Sequence, residues 1–210
     1  MSKRNTSDID ELLKKGLAES ARNVSTLQDS QLIQEQILRA AHLIVETYSS
    51  GGSLFACGNG GSAADAQHLV AEFVAKLQRD RSPIRALALT TDSSVLTAIG
   101  NDYGYDLIFH RQIHAMMSPK DILLAISTSG KSPNILRGLQ ACKDVGAPSI
   151  LLTGRDGGGA RELADCTIIV PGTSTAHIQE CHMIVYHLLG YLVEVQLVEH
   201  GLVHYRDANS

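Results

Sequence analysis

His68 and Glu72 lie four residues apart in the segment SAADAQHLVAEF, so a helix would set an imidazole and a carboxylate on one face. Those two types can share a metal ion or divide the acid and base roles of a proton transfer; in isolation such a pair is more often an ordinary surface pair. A second polar group, His177, Gln179, Glu180, His182 and His187, is embedded in the apolar stretch TAHIQECHMIVYHLLGYLVEV. Burying such side chains without partners costs about 1–3 kcal/mol per group. Their partners are either neighbours in a core or interface, or a metal or acid/base site shared with His68 and Glu72.

Two further segments are suited to an anion. In CGNGGSAADAQH, Gly58, Gly60 and Ala63 satisfy the dinucleotide pattern G-x-G-x-x-A, but Asp92, the acidic residue closing the next strand, lies too far on for that motif. The physical content survives without a dinucleotide. Glycines let backbone approach a ligand, Ser62 can cap the following helix, its free N–H groups attract an anion, and the Asn59 amide can meet a hydroxyl or carbonyl.

In AISTSGKSPNI, a P-loop would be complete if Ala125 were Gly. The hydroxyls of Ser127, Thr128, Ser129 and Ser132 instead ring a loop, and Pro133 suits the first position of a helix with Ser132 as N-cap. Hydroxyls, backbone donors and a positive helix end form a cradle for a phosphate dianion, with Lys131 an optional contact. Asn101 and Asp102 in GNDYGYD could read sugar hydroxyls or form a plain turn. TGRDGGGARELAD reads as a tight loop and a helix start without chemistry.

These residues need a scaffold. From Ile9 to about Tyr48 the apolar spacing is helical, with two helices broken near STLQDS. Beyond Gly51 and Gly52, short apolar runs at 53–57, 85–89, 121–127, 149–153 and 166–170 alternate with helical stretches at 62–78, 93–100, 106–117, 133–145 and 159–164, and a long one at 175–199. That alternation predicts a three-layer α/β sandwich with a five-stranded parallel sheet flanked by helices. Ligands in such sheets sit at the carboxyl ends of the strands, which points to the loops after Cys57, Leu89, Ser127 and Thr153.

At 210 residues one domain can bury its own core, and a net charge of −4 without a basic patch gives no footprint for nucleic acid. Cys57, Cys142, Cys166 and Cys181 form no C-x-x-C pair and read as reduced core residues. No apolar leader segment and no run of about 18 apolar residues is present, so a cytoplasmic protein without membrane contact is expected. The first few residues and the tail RDANS read as disordered.

Taken together, CGNGGSAADAQH followed by Glu72, AIGNDYGYD, STSGKS, and IQECHM with His187 resemble the bacterial phosphoheptose isomerases, stand-alone sugar isomerase (SIS) domain proteins. The resemblance runs through nearly the whole chain. It implies a single SIS domain over 1–210, with an N-terminal helical arm at 1–50 and the α/β core and C-terminal helix at 51–200. The implied activity is aldose–ketose isomerisation of sedoheptulose 7-phosphate to D-glycero-D-manno-heptose 7-phosphate through an enediolate, feeding heptose synthesis for lipopolysaccharide and the envelope.

Position by position, the resemblance implies substrate contacts at Asn59, Gly60, Gly61, Glu72, Asn101, Asp102, Ser127, Thr128, Ser129, Ser132 and Gln179. Glu72 and His187 would be the acid/base pair. One Zn2+ per subunit would be held by His68, Glu72, Gln179 and His187, in a homotetramer. Gln179 and His187 are separated by about 12 Å of helical rise, a long span for one ion unless the glutamine reaches back or neighbouring subunits contribute.

Among rivals, non-catalytic SIS relatives that bind the replication initiator protein share the IQExHM stretch but lack residues equivalent to Glu72 and His187, both present here. Arabinose 5-phosphate isomerases of the superfamily usually carry added regulatory domains, for which this length leaves no room. A dinucleotide oxidoreductase would leave the four-hydroxyl loop unexplained.

Overall fold

The computed structural model describes residues 6–206. The chain starts with α1 (Thr6–Asp29) and α2 (Gln31–Ser49), separated at Ser30, whose extended backbone and hydroxyl cap the second helix through the Ile33 N–H. Five strands follow, β1 (Leu54–Gly58), β2 (Ala86–Ala88), β3 (Ile122–Ser127), β4 (Ser149–Gly154) and β5 (Cys166–Val170), all parallel in the order β2-β1-β3-β4-β5. Between and after them run α3 (Gly61–Val74), α4 (Ser93–Tyr103), α5 (Ile108–Met116), α6 (Pro133–Val145) and α7 (Thr175–Glu199).

The pleat divides each strand between two cores. Leu54, Ala56, Ile122, Leu124, Ile126, Ile150 and Leu152 face a layer built by α2, α3 and α7, while Phe55, Cys57, Leu123, Ala125 and Leu151 face a layer built by α4, α5 and α6. Burial on both faces explains why the strands read as continuous apolar runs rather than alternating ones. The strand order reverses between β1 and β3, so the crevice at their carboxyl ends is the natural ligand position.

The differences from the sequence expectation are local. The helix expected at 159–164 is a single 3-10 turn at Gly158–Ala160, because Gly157 and Gly158 both take positive φ and glycine disfavours helix. α4 runs on through Tyr103, so Asn101 and Asp102 lie on a helix end and not in a loop. Asp92 caps α4 through the Val95 N–H and has no ribose-binding position. The expected disordered ends lie outside the described residues except Arg206, whose N–H donates to the Asp80 carbonyl.

All four cysteines are free and buried, and burial pushes the thiols of Cys166 and Cys181 up to about 11, consistent with inert core residues. α7 is long and apolar enough to cross a membrane by length and composition, yet here it packs on α2 and α3 and carries His182 and Glu194 into the core.

His182 is fully buried with neither ring nitrogen at hydrogen-bonding geometry, and desolvation, only weakly opposed by the Thr153 backbone, pushes its pKa from 6.5 to about 4. Between those two values the unfolded chain binds a proton that the folded chain refuses, so stability falls as pH drops through that window. Acidification from pH 7 to 4 should remove about 3 kcal/mol through this group alone. Urea unfolding of the His182→Gln variant should lose that part of the pH slope; acid profiles superimposable on the parent would refute the assignment.

Candidate active site

At the end of β1 the chain turns sharply into α3. A side chain at Gly58 would collide with the Ser62 backbone, and Gly60 takes φ +55 with open space around it. Gly60 is the N-cap of α3 and supplies no side chain, while Ser62, expected to cap, is buried inside the first turn. Among the described residues the N–H groups of Gly60 and Gly61 find no acceptor, which leaves the positive end of α3 open to an anion. Asn59 is held by a reciprocal amide pair with Asn134, 2% exposed, at 2.8 Å in both directions, and its Oδ1 also accepts from the Tyr105 hydroxyl at 3.1 Å. The Asn59 side chain therefore ties the β1 loop to α6.

After β3, Ser127 and its neighbours make the second half of the crevice. The Ser127 hydroxyl is buried and accepts from the Gly130 N–H at 3.1 Å, while the Thr153 hydroxyl donates to the Ser127 carbonyl at 2.6 Å. Ser127 shapes the loop. The hydroxyls of Thr128 and Ser132 are half-buried and without protein partners among the described residues, and Ser129 Oγ accepts only the Lys131 N–H. Pro133 begins α6 with Ser132 at the N-cap, as the sequence predicts, so three hydroxyls gather at a helix N-terminus.

The glycine-rich loop after β4 braces this cradle. Gly130, at φ +61, backs onto the Gly157 carbonyl, and its own carbonyl accepts from the Ala160 N–H at 3.0 Å. Lys131 points outward to Asp156 at 3.9 Å, with both side chains mostly exposed. Lys131→Ala should therefore change the substrate KM by less than about twofold, since exposed pairs contribute little. Ser129→Ala should raise it several-fold, and steady-state kinetics showing the reverse ranking would move the phosphate onto the lysine.

The polar residues of α7 have separate duties. His177 and Glu180 hold α1: Ser20 donates to Glu180 Oε2 at 2.8 Å, and His177 lies 3.1 Å from Glu180 and 3.6 Å from Glu19. His182 fills the core. The Gln179 amide donates to Asp65 Oδ2 at 3.0 Å and packs against Gly61, beside the first anion loop. Asp65 is 5% exposed, and burial raises its carboxyl pKa.

His187 joins His68 and Glu72 of α3. His68 Nε2 is 3.1 Å from Glu72 Oε1, and the rings of His68 and His187 stand edge to face with centroids 5.0 Å apart. The fully buried Tyr186 sets its hydroxyl 2.9 Å from His68 Nδ1. Burial foremost, with the charges of Asp65 and Glu72, pushes this phenol up to about 12, so it stays protonated and can donate or accept with either tautomer of His68.

Donor atoms of His68, Glu72 and His187 all lie within 4.8 Å of one another. Two imidazoles and a carboxylate are a donor set for zinc with one position left open, so the residues fit the implied metal. Gln179, the expected fourth ligand, donates its amide to Asp65, a helical turn before His68 on α3. A second cluster, His110, His114 and Asp144, lies between α5 and α6 in the other layer, where Arg111 and Arg137 oppose a cation.

The SIS domain model matches residues 17–154. The phosphoheptose isomerase of Aquifex aeolicus is 47% identical over 169 residues, covering 80% of this chain and 88% of that one. This chain belongs to the SIS-domain phosphoheptose isomerase family. A second member, the phosphoheptose isomerase of Solidesulfovibrio magneticus, is 50% identical over 165 residues, 79% of this chain and 80% of that one. The structure of the phosphoheptose isomerase from Neisseria gonorrhoeae superposes with a TM-score of 0.83 at 38% identity, over 89% of this chain and 99% of that chain.

Within this phosphoheptose isomerase fold, Asn101 and Asp102 sit exposed on the last turn of α4, bonded to each other at 2.7 Å. The Gly104 turn that follows brings Tyr105, and not these two, to the Asn59 loop. Sequence reading did not single out Asn134, Asp65, Tyr186 and Tyr105, which bond Asn59, Gln179 and His68. A signal existed for Asn134, a polar residue on the first turn of a helix that otherwise buries Ile135 and Leu139.

Proposed function

We propose that this chain interconverts sedoheptulose 7-phosphate and D-glycero-D-manno-heptose 7-phosphate as a cytoplasmic homotetramer, one SIS domain per subunit, in heptose synthesis for the envelope. The observation that carries the reading is the convergence of His68, Glu72 and His187, two of them on the helix α3 that starts from the loop after β1 at the β1–β3 switch point. A scaffold that binds the replication initiator protein would have no use for that convergence.

The loop amides of Gly60 and Gly61 and the hydroxyls of Thr128, Ser129 and Ser132 bind the phosphate and sugar and fix the distance to the reacting carbons. Ketose-to-aldose conversion removes a proton from C1 and returns one to C2, with charge developing on the oxygens between. Glu72, with 17% of its side chain exposed, is the carboxylate base, and His187 moves the hydroxyl proton across the cluster. His68, oriented by Tyr186, donates toward Glu72 and holds its rotamer. A divalent ion held by His68, Glu72 and His187 would supply Lewis-acid polarisation of the substrate oxygens. Carboxylate basicity would fall on ligation, so the proton-abstracting role of Glu72 requires its carboxylate free of such an ion.

Support for assembly comes from unpartnered apolar side chains. Ile9, Leu12, Leu13 and Leu17 on α1 and Met183, Leu188 and Tyr191 on α7 are 43–64% exposed, far more apolar surface than a monomer's helices usually leave in water. The test of the activity is direct: purified protein with sedoheptulose 7-phosphate should form the aldose, and absence of product with added zinc would favour the scaffold.

A further inference from the structure

Arg81 lies in the connection between α3 and β2, yet it is 3% exposed. Its Nε donates to Glu194 Oε2 at 2.7 Å, Nη1 to the carbonyls of Phe73 at 2.9 Å and Ser82 at 3.1 Å, and Nη2 to the carbonyl of Glu72 at 2.6 Å. Four of the five guanidinium N–H donors are thus used inside the protein. The carbonyls of Glu72 and Phe73 belong to the last turn of α3, where no intrahelical donor is available. Arg81 caps that turn with a positive charge at the negative end of the helix, and α3 stops at Val74 instead of running on to 78 as its sequence predicts.

Glu194 stands two turns beyond His187 on α7, and a seven-residue spacing keeps the two on one face. The guanidinium therefore joins the backbone of Glu72 to the helix that carries His187. Its own segment is fastened by the bridge between Arg81 and Tyr205 and by the Ser82 N–H donating to the His204 carbonyl. A buried ion pair is a poor device for stability alone, because apolar residues of similar volume usually do as well or better. What it supplies that apolar packing does not is a fixed direction and distance.

We propose that the Arg81–Glu194 pair is the positioning device that sets the Glu72 carboxylate against His187, so that its loss lowers turnover without weakening substrate binding. This rests on Glu72 and His187 being the proton-transfer pair. Neither Arg81 nor Glu194 touches the substrate; both act through the backbone of α3.

The experiment compares Arg81→Met/Glu194→Leu, Arg81→Lys and Glu72→Gln with the parent, measuring kcat, KM, the Ki of inorganic phosphate and the urea midpoint. The double variant should still fold, with a lower urea midpoint because the Glu72 and Ser82 carbonyls lose this donor, while kcat falls about 10–100-fold, the cost expected of misplacement near 1 Å, with KM and the phosphate Ki within about threefold. Arg81→Lys keeps the charge opposite Glu194 but cannot span two carbonyls, and it should show the same selective fall in kcat. If the double variant fails to fold, the lysine variant decides. Turnover within twofold of the parent in either folded variant, while Glu72→Gln is inactive, would overturn the positioning role alone. An active Glu72→Gln would overturn the acid/base reading and this inference with it.

Discussion

Glu72→Gln is expected to lower kcat by about 10²–10⁴-fold while leaving KM within a few-fold, because the amide keeps the shape of the carboxylate and loses its ability to take a proton. The half-buried side chain faces His68, its backbone carbonyl is anchored by Arg81, and glutamine has nearly the same volume, so the change leaves the packing in place. Its urea midpoint should stay near that of the parent. The substitution also removes the negative partner 3.1 Å from His68 Nε2, and a donor–donor contact there can be relieved by the other His68 tautomer, since Tyr186 can accept as well as donate. Pre-steady-state binding and turnover of the same preparation separate the outcomes. A variant that binds phosphate normally and turns over at the parent rate would remove Glu72 from the chemistry.

Gly130→Ala should be the most damaging single change in the phosphate loop. The new methyl would fall inside van der Waals contact with the Gly157 carbonyl, and the backbone at φ +61 already costs a non-glycine residue about 1–2 kcal/mol. Neither backbone can yield cheaply, because Gly158 in turn lies against the carbonyls of Gly130 and Ser129. The two loops must separate, and the Ser127–Gly130 hydrogen bond that shapes the cradle goes with them. Each charge-assisted bond lost to the phosphate is worth about 1.5–3 kcal/mol, so KM should rise at least about tenfold. Stability should fall by roughly 3 kcal/mol as well. Gly60→Ala is the comparison: at φ +55 nothing lies within 4 Å of the added methyl, so it strains the β1 loop that offers the Gly60 N–H but leaves the β4 brace intact, and KM should rise less. Equal effects of the two substitutions on KM would contradict the bracing role of the β4 loop.

The contrast between Gly130 and Gly60 also shows where sequence reading stops. The strands could be read because their residues are buried on both faces, and the break at Ser30 because a capping hydroxyl marks it. His68, Glu72 and His187 could be gathered because helical spacing is a local property and the resemblance supplied the third member. What holds them is non-local. Arg81 reads as one more surface arginine until Glu194, 113 residues later, meets it in the core, and Asn59 reads as an unpaired amide until Asn134, 75 residues on, pairs with it. The TGRDGGGA loop has no reactive group, and its glycines acquire a purpose only against Gly130. Gln179 is a further case: its amide donates to Asp65, 114 residues earlier, a partner that spacing along α7 does not reveal.

The measurement closest to the central claim is isomerisation of sedoheptulose 7-phosphate in D2O by the parent protein and Glu72→Gln, with deuterium at C2 of the aldose followed by NMR. Proton transfer through an enediolate at the His68–Glu72–His187 cluster predicts aldose carrying solvent deuterium at C2 from the parent and none from the variant. Aldose formation by the variant at the parent rate, or no aldose from the parent, would contradict it.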